Sequence, residues 1–496
     1  MRAIEENPLE IKKAEFIEIG HTLVNEIAEF IEHIEDIPIT SGKSPKQLEE
    51  ILGNQPLPQY GLPAKEVLFR GLNLLKHHSL FNGHPKFMGY ITSSAAPISA
   101  FADFIASALN LNVGAQILSP IATEIEKQTI AWLLEFTGLP KDYGGILVSG
   151  GNMANLTCFF AALHAKLPET YHSRGLAAVK KKVVVYCCKT THTWIEKAAK
   201  LSGLGLESVR FVPPNRKNKM DCNLLEAVIH EDKAKGYLPV MVIGTAGDVS
   251  TGAVDDIAAI SEVCSANNLW FHLDGAYGLP AVAVPRMKQL FVGLNGVDSF
   301  ALDPHKWLYN ALEVGCVLVK HPNDLRGTYG SNPEYYNFHQ VYDATHNYYE
   351  YGFQNSRGFR AFKLWATIQQ IGKQGFVEGI SRNIEQAILL FQEADLHPEL
   401  QAISHNLSIT NFRYVPIGTD LQNKEQRTYV NTLNQELLDT LQRNGEVFLS
   451  NAILDNRYCL RSCIVNFRTS IKDVIEIVAI VVREGRKTHK RLSLHR

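Results

Sequence analysis

Residues Phe300 to Asn310 read FALDPHKWLYN, with one lysine, Lys306, standing between His305 and Trp307. The apolar run Ser299 to Leu302 leads into it and reads as a short buried strand; Gly315 to Val319 beyond it reads as another. A lysine in this position either snorkels from a strand end to water or is enclosed. Enclosure disfavours the ammonium form, and a free amine attacks carbonyl carbon. Upstream, WFHLDGAYG (Trp270 to Gly278) forms a strand that stops at Asp274. A carboxylate at the carboxyl end of a strand in an α/β sheet sits where such sheets bind ligands. Gly275, Ala276 and Gly278 are small enough to let a flat molecule approach.

A third stretch, GGILVSGGNMANLTCFFAALHA (Gly144 to Ala165), turns at Gly150 and Gly151 and enters a helix near Asn152. Glycines allow close backbone approach, and a helix N-terminus presents free N–H groups to an anion. Asn152 and Asn155 would add side-chain donors; taken alone, the stretch also reads as a tight turn with no ligand. A lysine to take an aldehyde, a carboxylate to keep a ring nitrogen protonated and an anion cradle together meet the needs of pyridoxal phosphate. From VVVYCC (Val183 to Cys188) through VMVIGTAGDVSTGAVDDI (Val240 to Ile257) to Lys306, strands alternate with helices, which predicts βαβ units on a mostly parallel sheet.

The motifs DPHKW, HLDGAYG, SGGNMAN and THTW, in this order, resemble the group II pyridoxal-phosphate decarboxylases, the aromatic-L-amino-acid and glutamate decarboxylase family, from about His84 to about Thr469. The resemblance implies an aspartate-aminotransferase-like (type I) α/β fold with helices on both faces of the sheet. An N-terminal helical segment (1–90) would lie on a partner subunit of a homodimer, and a large cofactor domain (91–370) would follow. A small C-terminal α+β domain (371–482) and a frayed basic tail (483–496) complete the expected division.

The cofactor set it implies is Gly151, Asn152, Ala154, Asn155, His192, Asp274, Ala276, His305 and Lys306, with His192 stacked on the ring. Catalysis falls to Lys306, His192 and Tyr335, the last from an irregular Tyr-rich loop between Leu325 and Gly352, with Tyr336 next in register. Tyr90, in HPKFMGYITS, is the expected substrate wall. Arg357 would orient a carboxylate, tie the site together or form a surface salt bridge. The implied reaction is α-decarboxylation of an L-amino acid, with an aromatic substrate expected from Tyr90 and Trp194. The alternatives are a glutamate or aspartate decarboxylase, an aromatic aldehyde synthase, and a non-catalytic relative. Asn152, Ala154, Thr193, Trp194, Asp248 and Val249 depart from the family pattern; Trp194 either narrows the pocket or packs beneath it, and Asp248 either acts through its carboxylate or caps its turn.

The remaining features set bounds. At 496 residues the chain exceeds one core. Lys plus Arg (49) nearly balances Asp plus Glu (51), which argues against nucleic acid or an anionic membrane as partner. Eight scattered cysteines show no metal-ligand spacing and predict no metal site; they read as reduced thiols, hence a cytoplasmic enzyme. No signal peptide or membrane span is expected. Residues 11–36 repeat apolar positions at helical spacing, a stripe that the helix cannot bury alone. Ser119 to Leu139 reads as a helix ending at Gly138, with Thr123 and Glu126 spaced as a capping pattern.

Overall fold

The computed structural model describes residues 7, 9–331 and 346–494. Seven strands form the large sheet: β1 (Gly144–Val148), β2 (Val183–Cys188), β3 (Val209–Val212), β4 (Leu238–Thr245), β5 (Trp270–Asp274), β6 (Ser299–Leu302) and β7 (Gly315–Val319). Their order is β1-β7-β6-β5-β4-β2-β3. Only β7 runs against its neighbours; the other pairings are parallel. The carboxyl ends of β1, β4, β5 and β6 therefore share one edge, and the functional residues gather there.

The inner strands are mostly apolar because both faces are covered. In β2, Val184, Tyr186 and Cys188 enter one core with the helices Pro120–Thr137 and Ile257–Asn267. Val183, Val185 and Cys187 enter another with Phe159, Trp194 and Ala198. A second sheet, β8 (Leu400–Asn406), β9 (Ile409–Tyr414), β10 (Ser450–Leu454) and β11 (Arg457–Cys463), is antiparallel in the order β10-β11-β9-β8. It packs with the helices Lys424–Asn444 and Ile471–Ser493 around a core of its own. The helix Arg360–Leu396 joins the two regions and breaks at Gly372 (φ 68°, ψ 166°).

Two expectations need correction. The basic C-terminus is not a frayed tail: the helix Ile471–Ser493 continues through it, with Glu484, Gly485 and Thr488 buried. Thr123 does not cap a helix. It lies inside Pro120–Thr137 and donates its hydroxyl to the Ser119 carbonyl, while Glu126 is buried for a different purpose. Among the described residues, no helix is long and apolar enough to cross a membrane.

Candidate active site

A cavity of about 690 Å³ opens at the shared edge. Its floor is set by strand ends: Ser149 after β1, Thr245 in β4, Asp274 in β5 and Asp303 after β6. Two glycines shape one wall. Gly150 adopts φ 151°, a conformation that side-chain-bearing residues rarely adopt. A Cβ on Gly151 would lie 2.5 Å from Asp303 Oδ2. The helix Gly151–Lys166 starts at this turn and brings its N-terminus to the cavity.

Lys306 is less apolar in its surroundings than the sequence suggests. Its Nζ sits 3.1 Å from Asp303 Oδ2, and Asp303 is almost wholly buried. His305 Nε2 lies 3.8 Å from the same oxygen, and its Nδ1 accepts the Val314 N–H. Burial lowers the proton affinity of His305, with the Lys306 charge adding to the effect and Asp303 opposing it. Asp303 stands in the quoted DPHKW motif, yet sequence reasoning did not select it; its spacing of three from Lys306 was the available signal.

Asp274 is held by three donors. Trp194 Nε1 (2.8 Å) and Asn155 Nδ2 (3.1 Å) both donate to Oδ2, and the Ala276 N–H donates to Oδ1 (3.2 Å). Asn155 Oδ1 in turn lies 2.7 Å from His272 Nε2. Trp194 is thus buried behind Asp274 and does not narrow a substrate pocket. Its backbone N–H also reaches His192 Nδ1 (3.3 Å), so a neutral His192 ring carries its proton on Nε2. Burial is the main reason the His192 proton affinity is lowered.

Of the expected cofactor residues, Gly151, Asn152, Asn155, His192, Asp274, Ala276, His305 and Lys306 line this one cavity. Ala154 does not: it is fully buried behind the turn, its N–H bonded to the Gly150 carbonyl. Asn155 spends its amide on Asp274 and His272, which corrects its expected role as an anion donor. Arg357 lies outside the cavity. Its guanidinium is buried against Glu126 and the carbonyls of Val113 and Leu147 and faces the Tyr348 ring, so it ties structure together and is not free to meet a substrate carboxylate. Tyr90 (φ 52°) is 59% exposed beside Phe448 and does not line this cavity; Ile91 does. Tyr335 and Tyr336 lie outside the described residues. Asp248 caps its turn, accepting from Ser250 N, Thr251 N and Thr251 Oγ1, while Val249 faces the cavity.

The donor set suits pyridoxal phosphate: an amine, a fixed carboxylate and a glycine-opened helix N-terminus meet in one space. Thr245 Oγ1 and Asp303 Oδ1, both in residues lining the cavity, are buried with no protein partner. The family model described as the pyridoxal-dependent decarboxylase conserved domain matches residues 46–414. The chain belongs to the pyridoxal-dependent decarboxylase family. Pyridoxal phosphate is accordingly its cofactor, and the chain is a carboxy-lyase of the type I fold.

Its relatives include an aromatic-L-amino-acid decarboxylase of Bacillus atrophaeus, 29% identical over 95% of both chains. A phenylacetaldehyde synthase of Petunia hybrida is 27% identical over 90% of this chain and 89% of its own. The crystal structure of Oryza sativa TDC with PLP and tryptamine superposes with a TM-score of 0.88 at 24% identity, covering 97% of this chain and 99% of that one, a likeness of fold.

Proposed function

We propose that this protein decarboxylates an aromatic L-amino acid, releasing CO2 and the amine. The observation that carries the reading is that Lys306, Asp274 and the N-terminus of the helix Gly151–Lys166 line one cavity. When bound, pyridoxal phosphate supplies an aldehyde carbon and an electron-accepting ring. Lys306 Nζ would hold the aldehyde end, with Asp303 beside it as proton acceptor. Asp274 would accept a hydrogen bond from the protonated ring nitrogen, and the backbone amides at Gly151 and Asn152 would meet the phosphate. His192, with Nδ1 occupied, presents Nε2–H to the substrate side. Tyr335, from the Tyr-rich loop, is the proposed proton donor to the carbon that loses CO2.

Two features favour an aromatic substrate. Among the described residues Lys306 is the only lysine or arginine lining the cavity, so none of them is left over to pair with an acidic side chain. Ile91, Val249, Tyr277 and Leu312 supply apolar wall, and the relatives named above are consistent with that choice. The aldehyde synthase outcome is the second reading, favoured by the Petunia relative.

The proposal includes a homodimer in a cytoplasmic setting. Phe16, Ile27, Leu68, Phe101, Phe104 and Leu109 stand exposed on three N-terminal helices, apolar side chains that a partner subunit would cover. All eight cysteines are unbridged. Tyr90, pointing outward, would then wall the partner's cavity. The test is CO2 release by the cofactor-loaded protein across the common L-amino acids, with amine and aldehyde assayed together. CO2 matched by amine from Tyr, Trp or Phe supports the reading; CO2 from Glu or Asp alone overturns it. Aldehyde in place of amine selects the second reading.

A further inference from the structure

Behind Asp274, hydrogen-bond donors line up in one direction. An ionised Asp274 only accepts, so the Asn155 amide must present Nδ2 to it and turn Oδ1 toward His272. His272 Nε2 must then carry a hydrogen, which leaves Nδ1 to accept from Ser299 Oγ at 2.9 Å. Ser299 Oγ itself accepts from Trp270 Nε1 at 2.8 Å. The tautomer is assigned by the network. Ser299 and His272 are fully buried, and Trp194, which stands edge-on to the His272 ring, closes the other side with its own N–H on Asp274 Oδ2. Oδ2 is thus committed twice, which fixes the carboxylate plane and leaves Oδ1, with one backbone donor, as the oxygen free to serve the cavity.

We propose that Trp194 and the chain Ser299–His272–Asn155 are positioning residues that lock the Asp274 carboxylate plane and so set how long and in what orientation the pyridine ring of the cofactor is held. The inference rests on the pyridoxal-phosphate reading of the cavity. Trp194 is one of the departures from the family pattern, so this part of the lock belongs to this chain's own sequence.

The experiment measures release of pyridoxal 5'-phosphate from the full-length holoprotein into a trapping protein, together with visible circular dichroism per bound cofactor. Trp194→Phe keeps an aromatic ring and removes the donor. His272→Gln retains a donor at the Nε2 position, whereas His272→Leu does not. Release should quicken about tenfold in Trp194→Phe, the effect of one charge-assisted hydrogen bond, and about tenfold in His272→Leu, which leaves the buried Asn155 Oδ1 without its donor, with a weakened dichroic band in both. His272→Gln should fall within about threefold of the unmodified protein, given that each 1.4 kcal/mol is a tenfold change. Should Trp194→Phe fail to fold, the two His272 variants decide. Unchanged release and dichroism in the Leu variant, or equal loss in Gln and Leu, would overturn the lock. An unmodified protein that takes up no cofactor would instead overturn the reading beneath it.

Discussion

Replacing Arg357 separates two roles that the sequence left open. Four hydrogen bonds leave its guanidinium: Nη1 to Val113 O (2.9 Å) and Glu126 Oε2 (3.2 Å), and Nη2 to Glu126 Oε1 and Leu147 O (both 2.6 Å). Both side chains of the pair are 1% exposed. In Arg357→Met, Glu126 keeps only the Leu147 N–H at 3.0 Å and becomes a buried charge without a counterion. Breaking a buried pair on one side costs about 3–5 kcal/mol. Two carbonyls also lose a partner, so the upper part of that range is expected. Unfolding in urea, followed by tryptophan fluorescence on the holoprotein, should show a lower midpoint. The folded variant should keep its KM within about twofold, since the guanidinium never reaches the cavity and one lost charge-assisted contact would alter it about tenfold or more. The double variant Glu126→Leu with Arg357→Met should recover part of the loss, because an apolar pair leaves no charge stranded. An unchanged urea midpoint with a KM raised tenfold or more would refute this account and restore Arg357 as a substrate ligand.

Lys306→Ala should abolish turnover, and borohydride reduction should no longer attach the cofactor to the chain; an active, cofactor-linked variant would remove Lys306 from its role. Gly151→Ala places a Cβ 2.5 Å from Asp303 Oδ2 and 3.2 Å from Ala276 Cβ, so cofactor affinity by absorbance titration should fall at least about tenfold. His84 is buried, which lowers its proton affinity from 6.5 to about 4, with the Lys86 charge adding to the effect. The unfolded chain therefore takes up the proton first: stability from this group is complete above pH 6.5 and is lost as pH falls toward 4. The slope is up to about 1.4 kcal/mol per pH unit. Urea midpoints measured between those values should show a shallower acid limb in His84→Gln; an unchanged limb would place His84's titration elsewhere.

The strands of the large sheet were legible because a strand buried on both faces is mostly apolar: β2 and β7 are unbroken runs, β6 is one after Ser299, and β5 is interrupted only by His272 before it ends at Asp274. The edge strand β3, Val209–Val212, carries Arg210 and half-exposed Phe211 and offered no such run. The C-terminal helix was hidden by its own charges: Arg486, Lys487 and Arg491 point to solvent or to Glu399, Glu484 and Glu436 on one side while Val481, Val482 and Gly485 pack on the other. Glu126 misled in the same way, because a spacing of three from a threonine says nothing of an arginine 231 residues further on.

The cavity shows where such reading runs out. Lys306 and Asp274 could be chosen from local sequence because each sits at a strand end with small or aromatic neighbours. What holds Asp274 could not. Its donors come from the helix Gly151–Lys166 and the helix Trp194–Leu201, and His272 and Ser299 are paired across β5 and β6. Asn155 looked like an anion donor because it lies one turn into a glycine-led helix, but at that depth its side chain points along the sheet and not at the helix end. Trp194, two residues after His192, left open whether it narrows the pocket or packs beneath it. At that spacing a helix start turns the two side chains apart, His192 into the cavity and the indole beneath it. Trp194, two residues after the proposed catalytic histidine, thus donates to the carboxylate proposed to meet the ring nitrogen, and the Trp194→Phe release rate measures that effect directly.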